Sequence, residues 1–159
     1  MGRISLFTGS GHGKTPAAIG EALMRAAKGD QVIIIQFLKG KGLIDSQILN
    51  RLEPELRIFR FEKSINNFEN LTPTEKEEEI RNIKNGLNFA RKVLSTGECD
   101  LLVLDEILGI VDNGILTVEE LKEMLSLRSD NMDIIMTGIE LDEEIKRISS
   151  DISEISTVL

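Results

Sequence analysis

A chain of 159 residues, 41% hydrophobic and 29% charged, has the length and composition of one soluble globular domain, residues 1–159, with no low-complexity tract and no internal repeat. A net charge of −8 and the absence of Trp and Tyr argue against a nucleic-acid partner, because such affinity rests on neutralised phosphates and stacked bases. The longest apolar run, Val32 to Leu38, is interrupted by Gln36 and too short for a bilayer, and nothing at the start resembles a cleavable signal, so a cytoplasmic protein without a membrane partner is expected. The single Cys99 cannot form an internal disulfide, and with the lone His12 it offers no zinc site; it reads as a half-buried thiol at the start of a strand.

In chain order, "RISLFT" is a first strand that runs into "GSGHGKT", and a helix follows from Lys14 to about Lys28. "QVIIIQFL" is a nearly continuous β-branched run, which suits a strand buried on both faces. After Gly40 and Gly42 a short helix is expected around Leu43 to Leu52, and then a third strand, "LRIFRFE". "TPTE" at Thr72 to Glu75 places Thr at a helix cap, Pro at the first helical position and Glu three residues after the cap. Ile80, Ile83, Leu87, Ala90 and Leu94 then recur at helical spacing up to Gly97. The charged stretch "TEKEEEIR" in this helix reads as a solvated face. "CDLLVLDE" is a fourth strand, "TVEE" at Thr117 opens another helix, "MDIIMTG" is a fifth strand and "ISEIST" a sixth. Alternating strands and helices predict a parallel sheet covered on both faces, with ligands at the carboxyl ends of its strands. Thr8 to Thr15, Gln36 to Lys39, Asp105, Glu106, Thr137 and Gly138 fall at such ends and should line one crevice.

A strand, then glycines, then Gly-Lys-Thr at a helix start is the pattern that wraps backbone N–H groups around phosphate oxygens. Glycines admit the phosphate where a side chain would block it. Lys14 can then pair with terminal phosphate oxygens, and the Thr15 hydroxyl can ligate Mg²⁺. The usual spacing wants glycine at position 8, where this chain has Thr8 followed by Gly9, so the loop is a variant. Asp105, ending the buried strand "LLVLD", occupies the position of an acid that holds Mg²⁺ directly or through water. Glu106 can orient water for attack on a terminal phosphate, or help hold the metal while the phosphates leave together. These residues alone do not choose between the two.

Read together, "LFTGSGHGKTPAAIGEALMRA", "VIIIQFLKG", "NFARKVLSTGECDLLVLDE" and "IIMTG" resemble the ATP:corrinoid adenosyltransferases, over nearly the whole chain. The shortened Thr-Gly-x-Gly-x-Gly-Lys-Thr loop, the Gln-Phe-Leu-Lys-Gly strand end at Gln36 to Gly40 and the Asp-Glu after four apolar residues carry the resemblance. It implies an α/β, P-loop NTPase-like (RecA-like) fold, a mostly parallel sheet of five or six strands with helices on both faces. It also implies transfer of the 5′-deoxyadenosyl group of ATP to the Co(I) of a reduced corrinoid, with release of triphosphate. By the resemblance, Thr8, Gly9, Ser10, Gly11, His12, Gly13, Lys14, Thr15 and Pro16 would hold the triphosphate, with Lys39 near the nucleotide. Lys14 and Glu106 would be catalytic, Thr15, Asp105 and Glu106 would serve Mg²⁺ (or Mn²⁺), and Phe68 would face the corrinoid. A homodimer and a flavoprotein or other reductant are further implications. The chain departs from the family pattern at Ser10, His12 and Pro16, at Asn70 in place of a Trp, at Leu108 in place of an Asn and at Ile139 in place of an Arg. Leu159 also comes before the family's Lys-His-Pro tail. These departures lie mainly on the corrinoid side, so a P-loop ATPase, or a nucleotide- or corrinoid-binding module without transferase activity, stands as the alternative.

Overall fold

A computed structural model describes residues 1–39 and 47–159. The strands are β1 (Ile4–Thr8), β2 (Val32–Gln36), β3 (Leu56–Phe59), β4 (Leu101–Asp105), β5 (Asp133–Thr137) and β6 (Asp151–Glu154). The helices are α1 (Lys14–Ala27), α2 (Gln47–Asn50), α3 (Pro73–Thr96), α4 (Ile107–Asp112), α5 (Val118–Ser126) and α6 (Glu143–Ile148). Gly40, Gly42 and the expected helix start at Leu43 lie outside the described residues; α2 belongs to the rest of that expected helix.

The sheet is six-stranded in the order β3-β2-β4-β5-β1-β6, and every neighbouring pair is parallel. Alternation along each strand divides the core. Ile33, Ile35, Leu102, Leu104, Ile134 and Met136 face α3 to α6 on one side, while Val32, Ile34, Leu101, Val103 and Ile135 meet Ala18 and Ala22 of α1 on the other. Both faces of the central strands are therefore buried, which is why β2 and β4 read as apolar runs up to Gln36 and Asp105. The architecture is the α/β, P-loop NTPase-like one that the sequence implies.

Local chemistry sets the helix ends. The Thr72 hydroxyl accepts the Glu75 N–H while the Glu75 carboxylate accepts the Thr72 N–H at 2.9 Å, closing a capping box on α3. Gly97 ends that helix at φ 65°, a conformation glycine adopts without a Cβ penalty. The acidic stretch of α3 is not wholly solvated, because Glu79 is buried and accepts from the backbone of Lys63 and Ser64 and from Asn82. Cys99 is buried rather than half-buried and precedes β4 by two residues. The third strand stops at Phe59, short of the expected Glu62.

Register carries the carboxyl ends of the strands to one edge. Gln36 pairs with Asp105 and Phe7 with Thr137, while Thr8 lies opposite Glu154. One side of the sheet therefore presents the glycine loop, the two acids and the end of β2 together.

Candidate functional site

At the centre of this edge is Asp105, fully buried and held from three elements. The Thr15 hydroxyl lies 2.9 and 3.1 Å from its two carboxylate oxygens, the Thr137 hydroxyl donates at 2.7 Å and the Gln36 amide at 3.2 Å. Such a network satisfies a carboxylate that would otherwise be costly to bury. It also fixes the following residue. Glu106 sits at φ 65°, left-handed for a non-glycine, and its N–H donates at 2.7 Å to the same Thr137 hydroxyl. The bend starts α4 immediately, so the Glu106 side chain stays at the sheet edge.

Lys14 is buried at the opening of α1, and its ammonium donates at 3.0 Å to the Gly11 carbonyl. Gly11, His12, Gly13, Lys14, Thr15, Pro16, Lys39 and Glu106 enclose a cavity of about 180 Å³. Lys39 Nζ is 3.8 Å from a Glu106 carboxylate oxygen. Burial raises the Glu106 carboxyl above the usual range; Lys39 opposes that shift and Asp105 reinforces it. The Thr15 hydroxyl and the Asp105 carboxylate are hard oxygen donors, adjacent to each other and to Lys14. That donor set fits Mg²⁺, which is commonly held by one or two carboxylates with phosphate oxygens completing its shell.

Glu106 also borders a second cavity of about 260 Å³, which includes Leu38, Phe68, Glu69, Asp112, Asn113 and Ile139. Phe68 lies here, on the short turn Phe68–Asn70, with the Lys76 ammonium 5.6 Å from its ring centroid. Asn70 is exposed at the end of that turn. Leu108 is buried beneath Gly138, where a Cβ would lie 2.3 Å from the Leu108 Cβ. Ile139 is exposed at the cavity wall.

Of the residues expected at the nucleotide and its metal, the structure gathers Gly11 to Pro16, Lys39 and Glu106 about one cavity. Thr8, Gly9 and Ser10 do not border it. Thr8 is buried beneath the loop, Gly9 donates to the Ile139 carbonyl at 3.3 Å, and Ser10 is exposed. The first glycines also have a steric reason that the motif does not show. A Cβ on Gly9 or Gly11 would lie 2.4 or 2.7 Å from the Ile155 carbonyl oxygen, so both glycines make room for the chain after β6. That segment crosses the loop: Gly11 N–H donates to Ile155 O at 3.0 Å and His12 N–H to the Thr157 hydroxyl at 2.8 Å. Amides that a phosphate-binding loop offers to oxygen are thus already paired.

Sequence reasoning missed a further pair of residues behind the site. Glu62 is buried and accepts the Leu38 N–H at 2.8 Å; burial, reinforced by Glu79, pushes its carboxyl up to about 7. Arg60 Nε donates to the Lys39 carbonyl at 2.7 Å. The only sequence signal was an acid and a base alternating with Phe59 and Phe61.

The chain is similar to known proteins along nearly its whole length. The family model described as ATP:corrinoid adenosyltransferase BtuR/CobO/CobP matches residues 1–158. The corrinoid adenosyltransferase of Escherichia coli (strain K12) is 29% identical over 157 residues, covering 99% of this chain and 78% of that protein. Corrinoid adenosyltransferase CobA of Salmonella typhimurium (strain LT2) shows the same identity over the same coverage.

Proposed function

The chain belongs to the ATP:corrinoid adenosyltransferase family, and we propose that it transfers the 5′-deoxyadenosyl group of ATP to the Co(I) of a reduced corrinoid and releases triphosphate. The carrying observation is a cavity of about 180 Å³ with Lys14, Thr15 and Lys39 that shares Glu106 with a second cavity bearing Phe68. The two substrates would meet across Glu106. In the transfer, the cobalt electron pair forms the bond to C5′ and the C5′–O bond breaks. The pair from that bond leaves with the triphosphate, and cobalt goes from Co(I) to Co(III).

The residues of this chain supply electrostatics and orientation. Lys14 and the loop amides would stabilise the charge that grows on the leaving triphosphate, the kind of contribution that is largest when donors are placed beforehand. Thr15, Asp105 and Glu106 would hold Mg²⁺ (or Mn²⁺), which neutralises phosphate charge when bound. Lys39 would add a second cation. Phe68 would offer an apolar face to the corrinoid. Triphosphate must displace the Ile155–Thr157 segment from Gly11 and His12 to use their N–H groups. A homodimer, a flavoprotein as electron donor and a cytoplasmic setting belong to the same reading. Among the described residues no helix is long and apolar enough to cross a membrane.

The raised Glu106 carboxyl beside the phosphate cavity favours one other reading, a hydrolase in which Glu106 takes a proton from water. Steady turnover separates the two. With MgATP alone the transferase should release no phosphate, whereas sustained phosphate release that Glu106→Gln abolishes would establish the hydrolase. Lys14→Ala should abolish MgATP binding in either case, and unchanged binding would refute the cradle.

A further inference from the structure

Lys39 reaches the phosphate cavity because the backbone turns immediately after β2. Leu38 makes that turn at φ 59°, a left-handed conformation that is strained for a non-glycine residue and needs support from its surroundings. The chain after β3 grips the turn at two points. Glu62 takes the N–H of Leu38, and Arg60 donates to the carbonyl of Lys39. This gripping segment is itself fixed: Glu79 on α3 accepts the N–H groups of Lys63 and Ser64 at 3.0 and 3.3 Å, and Arg60 also bonds the Ser64 carbonyl. Removing the carboxylate at position 62 would leave the Leu38 N–H without this acceptor. A buried acid and a neighbouring guanidinium thus each bond one of the two backbone atoms that bracket the Leu38–Lys39 pair.

We propose that Glu62 and Arg60 are positioning residues for Lys39, holding its ammonium beside Glu106 and facing the phosphate cavity. The inference rests on the nucleotide reading above and gives that reading a structural support outside the motif. It also places Leu38, set by the same turn, in the wall of the Phe68 cavity. One clamp therefore shapes both cavities on either side of Glu106.

The test is a double-mutant cycle read by MgATP binding calorimetry, with Lys39→Ala, Glu62→Ala and the two combined, each checked for cooperative melting. Glu62→Ala should weaken binding on the order of tenfold, about 1.4 kcal/mol. Lys39→Ala should cost about as much, and the combination no more than Lys39→Ala alone. Glu62→Gln keeps an oxygen acceptor for Leu38 and should bind within about twofold of wild type. Arg60→Met, combined with Lys39→Ala in the same way, carries the cycle if Glu62→Ala does not fold. Losses that multiply in the double variant, or a folded Glu62→Ala with wild-type affinity, would overturn the positioning role alone. A wild-type chain that binds no MgATP would overturn the nucleotide reading together with it.

Discussion

Thr137 links the two acids of the site, and replacing it by Val should be felt well beyond the loss of one side chain's polarity. Its hydroxyl is fully buried, donates at 2.7 Å to Asp105 and accepts at 2.7 Å from the Glu106 N–H. Val has nearly the same shape, so packing is preserved and the change isolates the hydroxyl. Losing a hydrogen bond to a charged group is worth about 1.5–3 kcal/mol, and a buried N–H left unpaired costs about 1–3 kcal/mol. Because Thr15 and Gln36 still hold Asp105, the lower halves of these ranges apply, for a total of about 3 kcal/mol. At this chain length each kcal/mol lowers the melting temperature by about 3 °C, so a fall of about 9 °C is expected. Thr137→Ser keeps both bonds and loses one methyl group, at about 1 kcal/mol. Urea unfolding, compared at equal slope, with parallel calorimetry measures all three proteins. If Thr137→Val is as stable as Thr137→Ser, the hydroxyl does not carry the network and the account of how Glu106 is held is wrong.

Glu62 holds its proton more tightly folded than unfolded, with a carboxyl pushed from 4.5 up to about 7. Its contribution is therefore fully present below about pH 4.5 and is lost as pH rises to about 7, by about 3 kcal/mol. Glu62→Gln should remove that slope, and a wild-type-minus-variant difference that stays constant across the window would refute the assignment. Burial pushes the Cys99 thiol up to about 12, from 9.0. Its thiolate fraction at pH 8 should be about a thousandfold below that of the unfolded chain, and iodoacetamide should label it correspondingly slowly; labelling at the unfolded rate would contradict the burial. Thr157→Val removes the hydroxyl that occupies the His12 N–H, and MgATP should then bind about threefold to fivefold more tightly, as expected for one modest competing hydrogen bond. Unchanged or weaker binding would show that Thr157 supports the loop instead of competing for it.

The legible parts of the molecule were those whose signal is local or periodic. The β-branched run of β2, the capping box of α3 and the Gly-Lys-Thr at the opening of α1 each declare themselves within a few residues, and the parallel sheet follows from their alternation. Asp105 was legible because a single acid ends an otherwise apolar strand. α4 and α6, six residues each, were not, since fewer than two turns cannot display a helical period. Burial of Glu79 escaped because its neighbours Glu77 and Glu78 are exposed and the stretch reads as uniformly charged. The early end of β3 has the same origin as the clamp on Lys39: Arg60 and Glu62 leave the strand pattern to bond the backbone of a distant turn. Contacts of Ile155 and Thr157 with the glycine loop span more than 140 residues in sequence, and no local pattern announces them. They add a second reason for Gly9 and Gly11, which the loop motif alone ascribes to phosphate.

The transferase reading stands most directly on an anaerobic mixture of the chain, MgATP and chemically reduced cob(I)alamin, followed by the absorbance change that marks a cobalt–carbon bond. Product should form with release of triphosphate, abolished by Lys14→Ala and impaired by Phe68→Ala while ATP affinity is retained. A chain that binds MgATP yet forms no cobalt–carbon bond would contradict the transferase reading.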